Sequence, residues 1–328
     1  MFLSTIPETI CITGGTGSFG SAMTACLMNL SVGPSVRVFS RDEDKQERMQ
    51  ATWPPGPRLT YILGDVRDSQ ALRYAFDGAT GVIHSAALKH VPQGERHPDE
   101  FKKTNVDGTE NIVQAAIECH IPRSLFISSD KAVQPVTEYG RGKAVAEGLF
   151  RQGNQLGLRS GCHFSTVRGG NVWNSRGSVV ELWARAIRKK RPLYLSNPDT
   201  TRFFIHMEDW TAFCWRVWRE MHGGEIFIPK LRAWRLGDLA VAFGVKMNVK
   251  PIERPMDKRH ECLIAPEEFG RTIDIGWAYV IEPPSDVRQV WNYNPWLGKS
   301  MLYRLGDYSS QTTHWLSVDE LRELVKVL

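Results

Sequence analysis

The chain has 328 residues, of which 42% are hydrophobic and 23% charged; this fits one large or two medium folded domains and excludes a disordered or fibrous chain. Lysine and arginine number 41 against 36 aspartate and glutamate, and so thin an excess argues against a nucleic-acid partner while suiting a small anionic ligand. The six cysteines are scattered without a C-x-x-C pair, no basic leader precedes an apolar run, and no stretch reaches about 18 apolar residues, so we expect a cytoplasmic protein with no membrane partner and no metal site.

In chain order, an apolar run from Thr9 to Thr13 breaks into Gly14-Gly15-Thr16-Gly17-Ser18-Phe19-Gly20, and Ser21 to Leu30 follows with helical character. A second β-rich run spans Val36 to Ser40 and precedes a polar helix from Arg41 to about Ala51. A third, Leu59 to Leu63, ends in Gly64-Asp65. The alternation continues through Gly81 to His84, a helical stretch near Asp99 to Cys119, a strand from Ser124 to Ser128 and a helix after Tyr139. Alternating strands and helices predict an α/β fold, a Rossmann-like doubly wound parallel sheet. Beyond about Val172 the alternation becomes irregular and prolines 192, 198, 229, 251 and 255 punctuate it. We therefore expect residues 1–171 to form the dinucleotide domain and 172–328 a smaller mixed α/β lobe for substrate, with the chain free to cross between them. Arg188 to Arg191, ahead of Pro192, reads as a solvated helix end, and Trp210, Trp215 and Trp218 read as packing at helical spacing.

Gly14-x-x-Gly17-x-x-Gly20 lies between the first strand and the first helix, where a dinucleotide fold needs it. Such glycines allow a sharp turn, a close approach of pyrophosphate to the helix amides, and tight helix–strand packing. At the end of the second strand an acidic residue would take a ribose 2′-hydroxyl, but Ser40-Arg41 stands there and suits a 2′-phosphate. NADP is therefore preferred over NAD, with Asp42 next in line as the residue that would reverse the preference. Asp65 and Val66 are placed to meet the adenine. The full cofactor set comprises Gly14, Thr16, Gly17, Ser18, Phe19 and Gly20 of the turn, Ser40, Arg41 and Lys45, Asp65 and Val66, Ala86 and Ala87, and Ser128, Tyr139 and Lys143.

Tyr139-Gly140-Arg141-Gly142-Lys143 spells Y-x-x-x-K, which puts a phenol and an ammonium on one helix face one turn apart. A nearby cation stabilises phenolate, so such a tyrosine can act as a base below its usual range. With the glycine turn and Ser128-Ser129 ending a strand, this resembles the extended short-chain dehydrogenase/reductase superfamily. Ile127 to Ala132, His84 to Pro92, Thr104 to Thr109, Asn171 to Val180, Thr201 to Phe204, Met221 to Lys230, and Asp307 to Ser310 before Trp315 narrow it. Together they resemble the inverting UDP-N-acetylglucosamine 4,6-dehydratases over nearly the whole chain.

The resemblance implies an order of chemistry. Tyr139 takes the proton of the sugar's 4-hydroxyl while hydride leaves carbon 4, and the resulting ketone acidifies the hydrogen on carbon 5. Retaining sugar dehydratases have an Asp-Glu pair at the next step; here the pair is Asp130-Lys131. Lys131 is then the base at carbon 5 and Asp130 the acid for the departing 6-hydroxyl. Those roles need a neutral lysine and a protonated carboxyl, and burial is expected to push both groups that way. Hydride returns to carbon 6, and protonation of carbon 5 from the opposite face inverts it. The resemblance also sets Lys89, Ser129, Asn171, Arg202 and Arg254 around a UDP-sugar and implies a homo-oligomer, a dimer or a hexamer.

Gly169 stands where the family usually has tyrosine, and Met256-Asp257 replaces a Gly-Glu pair, so a wider or altered sugar pocket is expected. Two further readings use the same motifs: a nucleotide-sugar 4-epimerase or 5-epimerase, which has no need of Asp130-Lys131, and a non-catalytic NADP-binding regulator, which needs only the glycine turn.

Overall fold

The computed structural model describes residues 8–195, 197–244, 248–249, 258–284, 300–301 and 308–328. Six strands, β1 (Thr9–Thr13), β2 (Ser35–Ser40), β3 (Leu59–Leu63), β4 (Gly81–His84), β5 (Arg123–Ser129) and β6 (His163–Gly169), lie in the order 3-2-1-4-5-6 and all pair in parallel. Order reverses after β1 and puts the carboxyl ends of β1 and β4 beside a crevice, the place where open α/β sheets bind ligands. β1 and β4 are buried almost throughout, because helices cover both faces of a parallel sheet.

The sheet continues past β6. Ile226–Pro229 adds a further parallel strand, and Ala278–Ile281, Thr272–Asp274 and Ser300–Met301 complete it in antiparallel pairing. Segments from the second half of the chain therefore extend the same ten-stranded sheet. A separate three-stranded sheet joins Asn171–Val172, Thr201–Ile205 and Arg232–Arg235, and Cys262–Ile264 pairs with Tyr308–Ser309.

Helix α1 (Ser18–Met28) starts at Gly17, and α2 (Glu43–Thr52) is capped by Asp42, whose carboxylate accepts from the Lys45 amide at 3.0 Å. Helices α3 (Ser69–Phe76), α4 (Val91–Arg96) and α5 (Pro98–Lys102) follow. The long helix expected near Asp99 to Cys119 is divided: α5 passes through a π turn, Lys103–Asp107, into α6 (Gly108–Glu118). That turn carries Asn105, whose amide closes two 2.8 Å bonds with the backbone N–H and C=O of Leu88. The extra residue of a π turn re-aims one side chain, and here it pins the loop after β4. Helix α7 (Glu138–Gly157) is capped by Thr137, which accepts from the Gly140 amide at 3.0 Å.

Among the tryptophans read as packing, Trp210 and Trp218 are core residues on helix Met207–Glu220, and Trp215 packs against that core. No helix among the described residues is long and apolar enough to cross a membrane.

Glycine is required at Gly14 and Gly20, where the chain passes between β1 and α1. Gly14 has φ +68°, and a Cβ on Gly20 would lie 2.5 Å from the Gly14 carbonyl oxygen and 2.6 Å from the Gly15 Cα. Backbone atoms cannot yield as a side-chain tip can, so Gly20→Ala should cost about 2 kcal/mol or more. A urea-denaturation midpoint equal to that of the parent protein would contradict this.

Candidate active site

Two neighbouring regions hold nearly all the residues singled out by sequence. The first is a cavity of about 310 Å³ lined by Gly14, Thr16, Gly17, Ser40, Arg41, Asp42, Lys45, Asp65, Val66, Ala86, Ala87, Thr104 and Arg176. A Cβ on Gly14 would come within 2.7 Å of the Ala86 backbone, so the glycine turn and the loop after β4 make a close-walled cradle. Ser18 and Phe19 form the first turn of α1, whose free amides attract anions. The Phe19 ring lies 6.3 Å from that of Trp210.

At the end of β2, the Ser40 hydroxyl accepts from Gln46 at 3.1 Å, and Arg41 reaches Asp65 at 3.5 Å. Asp65 is also gripped by Arg67 at 2.8 Å, and burial notwithstanding, the Arg67 and Arg41 cations hold its carboxyl below the usual range. Asp42 is occupied as the cap of α2 and as the partner of the Lys45 ammonium.

The second region lies where β5 ends. Ser129 caps a short 3₁₀ turn, Asp130–Ala132, so Asp130 and Lys131 project from consecutive positions. Lys131 Nζ stands 2.9 Å from Asp130 Oδ1 and 3.2 Å from Glu261 Oε1. Ser129 donates to Asp130 Oδ1 at 2.8 Å. Asp130 is fully buried, and its Oδ2 has no hydrogen-bond partner. A Cβ on Gly140 would fall 2.4 Å from the Lys131 carbonyl oxygen; glycine after Tyr139 is thus what lets α7 rest on the Asp130–Lys131 turn.

Charge in this cluster departs from expectation at Lys131. Burial alone would lower its pKa, but the carboxylates of Asp130 and Glu261 outweigh burial and raise it above the ordinary lysine range. The expected push toward a neutral lysine is therefore overturned. For Asp130 the expected direction holds: burial, with Glu261 nearby, raises its carboxyl against the pull of Lys131 and Ser129. Exclusion of water lifts the Tyr139 phenol to about 12, and Asp130 adds to it; Lys131 and a hydrogen bond with Ser129 act the other way.

Lys143 differs too. Its ammonium donates to the Ile127 carbonyl at 2.6 Å and sits 4.4 Å above the centre of the Phe126 ring. The cation that lowers the Tyr139 phenol here is Lys131, not the expected Lys143. Burial brings Lys143 down to about 7, only partly opposed by Glu147. Ser128 gives its hydroxyl to Glu147 at 2.6 Å, and Glu147 is clasped by Arg168 at 2.7 Å, which also holds Glu268 at 2.8 Å.

The predicted substrate residues divide. Ser129 and Arg202 join the Lys131 cluster, Arg202 through its Nε 3.8 Å from Glu261 Oε1. Asn171 heads the short strand beside Thr201–Ile205, with its buried Oδ1 lacking a hydrogen-bond partner. Lys89 donates to the Arg176 carbonyl at 3.1 Å, at the cavity side. Arg254, Met256 and Asp257 lie outside the described residues. At Gly169, a Cβ would strike the Trp210 indole at 2.7 Å; the volume a tyrosine would use is filled by that ring, so the expected widening does not occur at this point.

Residues 10–283 match the model of the family described as "Polysaccharide biosynthesis protein". The chain belongs to that family. It is 36% identical over 325 residues, covering 97% of both chains, to a protein of Campylobacter jejuni subsp. jejuni serotype O:2 named "UDP-N-acetylglucosamine 4,6-dehydratase (inverting)". It is also 34% identical over 330 residues, 98% of this chain and 96% of the other, to a Rickettsia bellii protein named "UDP-glucose 4-epimerase". Among solved structures, "X-ray structure of Pen from Bacillus thuringiensis" superposes with a TM-score of 0.88 at 28% identity, covering 99% of this chain and 98% of that one. The resemblance read from the motifs is thus borne out along the chain, and so is the Rossmann-like fold.

Glu261, Glu147 and Arg168 escaped the sequence reading. Glu261 follows the Arg254-Pro255 segment in sequence, yet only folding brings it to Lys131. Lys143 offers a test of its setting. Between a folded value near 7 and the ordinary lysine value near about 10.4, the unfolded chain carries the proton and the folded chain does not. Stability should therefore rise across that window, by at most about 1.4 kcal/mol per pH unit. In Lys143→Met this contribution should vanish, so unfolding measured at pH 7 and pH 9 should differ less than in the parent protein; equal differences would refute the buried, deprotonating lysine.

Proposed function

We propose that this chain is an NADP-dependent inverting 4,6-dehydratase of UDP-N-acetylglucosamine. The observation that carries the reading is the pairing of buried Asp130 with Lys131, 2.9 Å apart, directly beneath the helix that presents Tyr139. An acid and a base that close supply what an elimination needs and what an epimerisation does not. Relatives with the dehydratase name support it at 36% identity.

The glycine cradle and its cavity fit a dinucleotide, since a side chain at Gly14 would collide with Ala86. Gly14, Gly17 and the first turn of α1 would hold the pyrophosphate, and Asp65 and Val66 would border the adenine. Arg41 and Lys45 would meet a 2′-phosphate, with Asp42 committed to capping α2. When bound, such a cofactor would supply the hydride acceptor needed at carbon 4 and the hydride donor needed at carbon 6.

Tyr139 removes the proton of the 4-hydroxyl, helped by the Lys131 charge and by Ser129, and Lys143, beside β5, would help hold the cofactor. Lys131 and Asp130 share one proton. Its shift from Nζ to Oδ1 across 2.9 Å converts an ion pair into a neutral amine and a carboxylic acid, the two forms elimination requires, without any net gain or loss. The amine then removes the carbon-5 proton, and the acid protonates the leaving 6-hydroxyl. Arg202, Asn171, Lys89 and Arg254 would engage the UDP-sugar.

Mass spectrometry of UDP-N-acetylglucosamine incubated with enzyme should show loss of one water, and NMR should show inversion at carbon 5. The epimerase reading, favoured by the 34% identical relatives of that name, requires a product of unchanged mass. Lys131→Ala should abolish water loss, by about a thousandfold or more, with NADP affinity unchanged; water loss at a near-normal rate would refute the assignment. Arg41→Ala should weaken NADP binding about tenfold or more while sparing NAD, since a charge-assisted contact contributes about 1.5–3 kcal/mol. Equal losses for both cofactors in a calorimetric titration would instead favour NAD.

A further inference from the structure

Lys131 has two carboxylates, and the elimination described above uses only one. Glu261 is 2% exposed, and its Oε1 lies 3.2 Å from Lys131 Nζ. Its backbone is fastened on both sides: the Glu261 amide donates to Ser310 Oγ at 2.9 Å, and the Ser310 amide donates to the Glu261 carbonyl at 2.8 Å. Ser310 Oγ in turn meets Thr201 Oγ1 at 2.7 Å. The carboxylate is thus delivered from the second half of the chain to a lysine of the first, on a rigid mount.

Charged groups from several elements gather here. Asp130 and Lys131 come from the turn after β5, Arg202 from strand Thr201–Ile205, and Lys258 from the segment ahead of Glu261, its Nζ 3.7 Å from Glu261 Oε2; Tyr139 of α7 faces Asp130 and Lys131 in turn. Glu261 Oε2 and Asp130 Oδ2 are both buried without a hydrogen-bond partner. A buried carboxylate kept at such a cost, with three cations about it, acts on charge rather than on packing.

We propose that Glu261 is a positioning residue for the elimination, the fixed counter-charge that aims Lys131 and stabilises the ammonium as it forms. The inference rests on the dehydratase reading. In the step concerned the carbon-5–hydrogen bond breaks, its proton goes to Lys131 Nζ, and its electron pair becomes the carbon-5–carbon-6 double bond. The carbon-6–oxygen bond breaks at the same time, and the hydroxyl leaves as water with the Asp130 proton. Positive charge therefore appears on Lys131 and negative charge on Asp130, and Glu261 favours the first while keeping Asp130 ready to hold its proton beforehand.

The test is the pH profile of water release for the parent enzyme, Glu261→Gln and Glu261→Asp, each checked for folding by thermal melting with NADP. An anion beside two titrating groups raises both, so its removal lowers both. In Glu261→Gln, water release should fall at least about tenfold near neutrality, and both limbs of the bell should move about one unit or more to lower pH. Glu261→Asp, which keeps the charge, should recover part of the rate with its limbs near those of the parent. A reduced rate with unmoved limbs, or loss of the fold in both variants, would make Glu261 merely structural and overturn the proposal. A parent enzyme that converts the sugar without losing mass would overturn the dehydratase reading itself, a result separable from the others because it needs no variant.

Discussion

The site depends on one ammonium held between two buried carboxylates. Lys131 lies 2.9 Å from Asp130 and 3.2 Å from Glu261, and each of the three sets the protonation of the others. Two carboxylates beside one cation cannot both keep their charge equally well. Glu261, faced also by Arg202 and Lys258, is held below the usual carboxylate range, whereas burial raises Asp130. The protein thereby separates two chemically similar groups into an anion and a proton carrier, the device by which carboxylate pairs divide acid and base roles.

That constraint explains features that otherwise look unrelated. Gly140 and Gly142 occupy the middle of the Tyr139-to-Lys143 motif because α7 must lie against the Lys131 carbonyl and against Asn105, where a Cβ would come within 2.4 Å and 3.3 Å respectively. Asn105 is available there because a π turn interrupts the helix and directs its amide to Leu88. Behind the site, Arg168 bridges Glu147 and Glu268, and Ser128 is tied to Glu147. The strand end that carries Ser129 to Lys131 is thus braced by a linked set of ion pairs.

Local pattern made the first half of the chain legible. The β-branched runs and the glycine turn follow rules that act within a few residues, so β3 and β4 fall where the sequence puts them and β2 and β5 within one residue. The helix before β5 was legible as a helix but not as two helices about a π turn, because the insertion is stabilised by Asn105 reaching a distant backbone. The direction of the Lys131 shift was misjudged for the same reason. Burial is a property of one residue and can be guessed, but the second carboxylate lies 130 positions away, and no spacing rule links Lys131 to Glu261.

Lys143 shows how far a motif can be read. The Y-x-x-x-K spacing correctly places phenol and ammonium on one helix, yet the ammonium is spent on the Ile127 carbonyl and the Phe126 ring, and its burial lowers it to about 7. A lysine near half protonation is a poor permanent counter-ion for phenolate, but it responds readily to a neighbouring charge. Lys131, raised by its two carboxylate neighbours, is the opposite. The two lysines therefore differ in setting: burial lowers the first, and the second opposes the effect of burial on Tyr139. Glu261 is one of the two carboxylates that raise Lys131, so a residue of the second half of the chain bears on the charge of one in the first.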